Sequence, residues 1–183
     1  MLGVKFILNF LIDNLYKPVL VLKEMDKKLG ECLENNRIKY ILHRHLAVFS
    51  VEESQKLKIG IPGLHCKTLF VKTESGKFYL IGLPAEKMLD NSKLRKCLGI
   101  KKFRFGSVEE LKNIIGVLPG SVSIFGAVNS KKVGLIIDRY VWESKIVGFH
   151  PNINTETLEI KHFDLEKFYE SLENEKYIFD VSK

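Results

Sequence analysis

The chain has 183 residues, enough for one domain that buries roughly 70% of its unfolded surface, so its core needs neither disulfides nor a structural metal. Its 45% apolar and 28% charged content is that of an ordinary soluble globule, and its three cysteines, Cys32, Cys66 and Cys97, form no Cys-x-x-Cys pair, which points to reduced thiols in a cytoplasmic protein. Twenty-nine basic side chains against 22 acidic ones give +7, a surplus that suits a polyanionic partner through counterion release, although many lysine-rich soluble proteins have no such partner.

The stretch Met1–Leu22 is mildly apolar, but its longest run, Phe6–Ile12, is broken by Asn9 and is too short to span a bilayer. It reads as a packed or frayed extension or as a signal peptide, with the extension preferred. Leu22, Met25, Leu29, Cys32 and Leu33 recur at helical spacing and predict an amphipathic helix over 20–35. Ile38, Tyr40 and Leu42 alternate as in a strand that runs into His43-Arg44-His45. Ser50-Val51-Glu52-Glu53 is a capping box, opening a helix that ends near Gly60. Thr68–Thr73 and Phe78–Leu83 flank Glu74-Ser75-Gly76-Lys77 and predict a hairpin. Asp90 or Asn91 caps a helix through Leu98 that Gly99 stops, and Lys102–Phe105 is a short strand. Ser107-Val108-Glu109-Glu110 opens another helix, ending at Gly116. Val133–Ile137, continuously apolar, is a central strand; a further strand lies near Thr157–Ile160, and Asp164 caps a last helix through Leu172. Strands and helices interleave without a long linker: one α/β domain.

Three loops carry candidate chemistry. Gly116–Gly126 holds three glycines, Pro119, Ser121 and Ser123, so its backbone can turn sharply and present bare N–H groups to a ligand. His65-Cys66-Lys67-Thr68 places a lysine at the start of a strand, where its cation either meets a phosphate or carbonyl oxygen or simply reaches solvent. Gly148-Phe149-His150-Pro151-Asn152-Ile153-Asn154 holds a histidine that can orient a substrate, act as acid or base, or make a structural hydrogen bond. His43, His45 and His65 are further candidates. No His-Glu-x-x-His or Cys/His spacing signals zinc, no Gly-x-Ser-x-Gly elbow makes Ser121 or Ser123 a hydrolase nucleophile, and no Gly-Lys-Ser/Thr ending makes a P-loop. Asp138 either serves function or, more commonly for a strand-terminal aspartate, caps the next turn.

From about Lys39 to Leu172 the chain resembles the YbaK-like, synthetase-associated editing domains, in the branch of freestanding prolyl-tRNA editing proteins. The matching pieces are His45–Glu53, Gly63–Phe70, Leu111–Phe125 around Leu118-Pro119-Gly120-Ser121-Val122, Ile136-Ile137-Asp138, and Gly148–Asn152 with Asn154-Thr155. The resemblance implies an α/β domain of α+β type, in which a mixed, largely antiparallel, barrel-like sheet is surrounded by helices. It divides the chain into an N-terminal extension with the first helix, 1–36, and an editing-like domain, 37–183. It implies a deacylase that hydrolyses the ester of mischarged tRNA, most of all Ala-tRNA(Pro), without cofactor, metal or membrane.

By the same resemblance, Lys67, Gly120 and Ser121 carry the catalytic step, while His150, Thr68, Ser50, His45, Phe125 and Asn154 bind substrate. Lys67 would hold the phosphate or ribose of the 3′ end, His150 the aminoacyl group, and the glycine-loop amides would face the ester. A ribose hydroxyl of the substrate would help to activate water. Partners are then the acceptor end of tRNA and a prolyl-tRNA synthetase. Leu46, Ile124 and Thr68 depart from the family pattern, and Thr68 bears on which small amino acid the pocket admits. The competing functional readings are a non-catalytic tRNA- or synthetase-binding module of the same fold, and a generic esterase whose nucleophile or metal site the sequence does not show.

Overall fold

Side-chain caps set most of the helix boundaries. A computed structural model describes residues 25–45 and 60–183. The stretch Met1–Leu22, and Ser50 with nearly all of the helix its box would open, lie outside the described residues. Helix α1, Lys27–Asn35, begins later than the expected position 20, because the Asp26 carboxylate accepts from the N–H groups of Lys28 and Leu29 at 2.9 and 3.2 Å. Strand β1 is Tyr40–Arg44. The expected hairpin is formed by β2, Leu64–Thr73, and β3, Phe78–Pro84, closed by the Thr73 N–H donating to Lys77 O at 2.9 Å.

Asp90 caps α2, Asn91–Leu98, and Gly99 ends it at φ +65°. After β4, Phe103–Phe105, the second box forms as expected: Ser107 and Glu110 bond reciprocally to open α3, Val108–Ile115. A 3₁₀ turn over Ile124–Asn129 follows the glycine loop. Strand β5, Val133–Asp138, is buried at every position. Asp138 caps the short α4, Arg139–Trp142, donated to by the Tyr140 N–H at 3.0 Å. Its other oxygen accepts from the N–H groups of Val181 and Ser182, both at 2.9 Å, so it also anchors the C-terminal residues.

Strand β6, Ile146–Phe149, and strand β7, Glu156–Lys161, bracket the histidine loop. Helix α5 is His162–Ser171 and β8 is Lys176–Phe179. Asp164, expected to cap α5, lies inside its first turn, because β7 runs directly into the helix and Lys161 takes the cap position without a side-chain bond. The Asp164 carboxylate instead accepts from the Lys39 N–H at 3.0 Å and from Lys167 Nζ at 2.8 Å. Strands β6 and β8 carry no alternation that reads as a strand in sequence; pairing with neighbours makes them strands.

The eight strands form one mixed sheet in the order β1-β7-β6-β2-β3-β5-β8, with β4 on β2. Among the described residues four of its seven pairings are antiparallel, and β2–β6, β3–β5 and β5–β8 are parallel. Successive residues serve opposite faces. Leu80, Leu135, Val147, Phe149 and Leu158 enter the larger core with α1, α3, α5 and the 3₁₀ turn. Ile81, Leu83, Val71 and Ile136 enter a smaller one beneath α2. Leu29 and Leu33 place α1 inside the larger core.

Candidate functional site

Strand β2 changes partners along its length, and the site lies where it does so. Leu64 and His65 pair in parallel with Val147 and Gly148 of β6, after which β2 continues along β3, with Lys67 opposite Leu83 and Thr68 opposite Gly82. Lys67 and His150 each stand two residues beyond the last β2–β6 pair, His65–Gly148. Lys67 remains within β2, whereas His150 lies just past the end of β6, in the loop that opens where the two strands diverge.

The strands beside that loop carry polar side chains. His43 opposes Thr157, and Glu159 opposes Gly148. His43 Nε2 lies 2.8 Å from a Glu159 oxygen, and His45 Nε2 lies 2.9 Å from Thr157 Oγ1. The His45 and His150 rings are 5.6 Å apart. His150 Nδ1 donates to Glu156 O at 2.7 Å, which fixes the ring within the loop between β6 and β7. Lys67 is half-buried, its Nζ donating to Ala85 O at 2.9 Å, and burial lowers its pKa from the ordinary 10.5. His45 and His150 are thus neighbours, and Lys67 stands on β2 just beyond the point where it leaves β6.

The glycine loop is a turn of defined type. Leu118-Pro119-Gly120-Ser121 closes through the Ser121 N–H donating to Leu118 O at 3.0 Å, and Gly120 at φ +84° takes the third position of a type II turn, which favours glycine. The Ser121 N–H is therefore committed to the turn. The exposed Gly120 faces Asn154: a Cβ on Gly120 would lie 3.7 Å from Asn154 Nδ2, so the glycine loop and the histidine loop touch.

Two of the expected binding residues stand elsewhere. Phe125 is wholly buried, edge-on to Phe149 and Phe168 with ring centroids 6.2 and 4.8 Å away, and packs the larger core. Thr68 alternates to the face opposite Lys67, where its Oγ1 is buried without a hydrogen-bond partner among the described residues. Asn152 belongs to the histidine loop but was not among the expected binding residues. It holds a left-handed φ of +62°, is 4% exposed, and leaves both amide atoms unpartnered among the described residues.

A cleft of about 560 Å³ opens beside Lys67, walled by Leu69, Met88, Leu89, Phe103 and Phe105 and rimmed by Arg95 and Lys102. Sequence reading missed it, because β2, α2 and β4 contribute to it from separate stretches. Among the described residues no cluster of His, Cys, Asp and Glu could hold a metal ion, and no helix is long and apolar enough to cross a membrane.

Residues 45–168 match the model of the aminoacyl-tRNA editing domain. The chain is 30% identical over 138 residues to the prolyl-tRNA editing protein ProX of Acetoanaerobium sticklandii, an alignment covering 74% of this chain and 84% of that protein. Its fold is similar to that of a structure described as a hypothetical protein, APE2540, with TM-score 0.71, 21% identity, and coverage of 86% of this chain and all of that one. It is also similar to a candidate trans-editing enzyme for prolyl tRNA synthetase, with TM-score 0.69, 16% identity, and coverage of 87% and 99%. The matched span begins at His45 and takes in Lys67, the Gly120 turn and His150. The chain belongs to the aminoacyl-tRNA editing domain family.

Proposed function

We propose that this protein is a trans-acting deacylase of mischarged tRNA, with Ala-tRNA(Pro) as its preferred substrate. The observation that carries this reading is that the half-buried Lys67 cation and the carbonyl-anchored His150 each follow the last β2–β6 pair by two residues, where the strands part, with the Gly120 turn in contact with the histidine loop.

Water attacks the ester carbonyl, the carbon–oxygen bond to the ribose breaks, and the proton passes to the departing ribose oxygen. The neighbouring ribose hydroxyl of the substrate helps to activate the water. Lys67 holds the terminal phosphate or ribose, and His150 fixes the aminoacyl group. Since the Ser121 N–H closes the turn, the Gly120 N–H is the glycine-loop donor assigned to the oxyanion. One such donor is worth about 10²–10³ in turnover.

Purified protein should deacylate Ala-tRNA(Pro) faster than Ser-tRNA(Pro) and leave Pro-tRNA(Pro) intact. Lys67→Ala should lose about 10²-fold or more in kcat/KM with an unchanged melting temperature. Full activity in that folded variant would remove Lys67 from the mechanism. Binding of tRNA without hydrolysis of any of the three would instead favour a binding module.

A further inference from the structure

The cleft beside Lys67 is apolar on its floor and positive at its rim, a combination that neither a peptide pocket nor a simple phosphate site requires. Phe105 is 61% exposed and Met88 67% exposed, so a large aromatic ring and a thioether stand open to solvent at its edge. The positive charge there is uneven. Arg104 is held by Glu110 through two short hydrogen bonds of 2.7 and 2.6 Å, and Lys72 shares the same carboxylate at 2.8 Å. Those contacts keep the Glu110 carboxyl far below the usual range, with the Arg104 bond the largest cause. Arg95, by contrast, meets the Ser92 hydroxyl at 3.3 Å, and among the described residues no carboxylate pairs with its guanidinium or with the Lys102 ammonium, while the Lys102 backbone N–H donates to Glu74 at 3.2 Å.

Single-stranded nucleic acid is bound in this way, by bases stacked on aromatic faces and by cations that follow the backbone. A volume of about 560 Å³ also lies in the range that takes one or two nucleotides. We propose that this cleft binds the unpaired 3′ tail of tRNA immediately before the esterified adenosine, with a base on Phe105 and phosphates at Arg95 and Lys102. The proposal rests on the deacylase reading, which places the terminal nucleotide at Lys67, one wall of the same cleft. It makes the cleft a selector for the single-stranded tail rather than for the amino acid.

Two variants test it: Phe105→Ala, and Arg95→Ala combined with Lys102→Ala. All three side chains are exposed, so the fold should survive, which circular dichroism and melting check. The binding probe is a fluorescent ACCA ribonucleotide. Phe105→Ala should weaken its binding about tenfold, and the double variant should flatten the salt dependence by about 1.4 in log–log slope. The ratio of kcat/KM for Ala-tRNA(Pro) to that for alanyl-adenosine should fall about tenfold in both variants.

Wild-type values for probe binding and for this ratio in the folded variants would overturn the cleft while leaving wild-type deacylation, and so the parent reading, intact. Loss of probe binding in the variants, together with a wild type that hydrolyses neither ester, would support the cleft and overturn the deacylase instead. Equal displacement of the probe by an acidic peptide of matched charge would overturn the nucleic-acid assignment in favour of a protein partner.

Discussion

Lys67 shows how one side chain is tuned by its strand. Leu69, Met88 and Leu89 line the cleft beside it, and burial disfavours its charged form, which lowers its pKa from 10.5. The charged form is the one that would grip a phosphate. The alkaline limb of kcat/KM, which reports the free enzyme, should therefore fall below 10.5 once spontaneous ester hydrolysis is subtracted. The limb of kcat should lie higher, since a bound phosphate restores the cation. Lys67→Arg should move the kcat/KM limb upward, because a guanidinium stays charged. A limb unmoved by that change would assign it to another group. Stability has the same slope as for a carboxylate with a depressed pKa: a lysine disfavoured by folding weakens the fold where it is charged, and that cost starts to fall as pH rises past the lowered folded value and is gone above 10.5. Asp164 and His150 make a related point. Each was legible as a polar residue at a turn, but only its hydrogen bonds decide its work, one tying β1 to α5 and the other fixing a loop.

Among the elements, the glycine loop is the most informative. Pro119 and Gly120 specify a type II turn by local chemistry alone, because proline presets one dihedral and glycine supplies the positive one. Space is not the constraint, since a Cβ on Gly120 would meet Asn154 only at ordinary contact distance, 3.7 Å. The constraint is φ +84°. Gly120→Ala should cost about 1–2 kcal/mol of local strain, a fall of a few degrees in melting temperature, and about tenfold or more in turnover if the turn aims its N–H at the ester. Unchanged turnover with the same loss of stability would reduce the loop to a connector. The Ser107–Glu110 capping box and the Gly99 and Gly116 stops were readable for the same reason: caps are local hydrogen bonds between residues a few positions apart. Strands β6 and β8 were not, because their pairing partners lie far away in sequence.

For the whole molecule, the family match starts at His45, yet the core does not. Helix α1 sets Leu29 and Leu33, 0% and 2% exposed, in the larger core, where the helix packs on the 3₁₀ turn and α5, and Asn129 reaches back to Asp26 at 2.9 Å. Leu29→Ala should destabilise the protein by about 2–5 kcal/mol, read as a shift in the urea midpoint at constant slope. A change below about 0.5 kcal/mol would show that α1 is a dispensable extension. At the other end, Met88 and Lys183 exchange backbone hydrogen bonds at 3.0 and 2.9 Å, which holds the edge of the cleft through the last residue of the chain. The larger core thus draws on α1, and the edge of the cleft on the pairing of Met88 with Lys183.

The sequence by itself determined the α/β class, the hairpin, the capped helices, the buried central strand and the two loops that carry Gly120 and His150, because each is written in periodicity or in contacts a few residues apart. It also held the motifs of the family. Only the tertiary structure decided that Lys67 and Thr68, adjacent in the chain, face opposite sides of the sheet, and that Phe125 belongs to the core. It alone brought Arg95, Lys102 and Phe105 to the side of Lys67. The reason is physical: strand register and parallel pairing join residues tens of positions apart, and no local propensity encodes which neighbour a strand will meet.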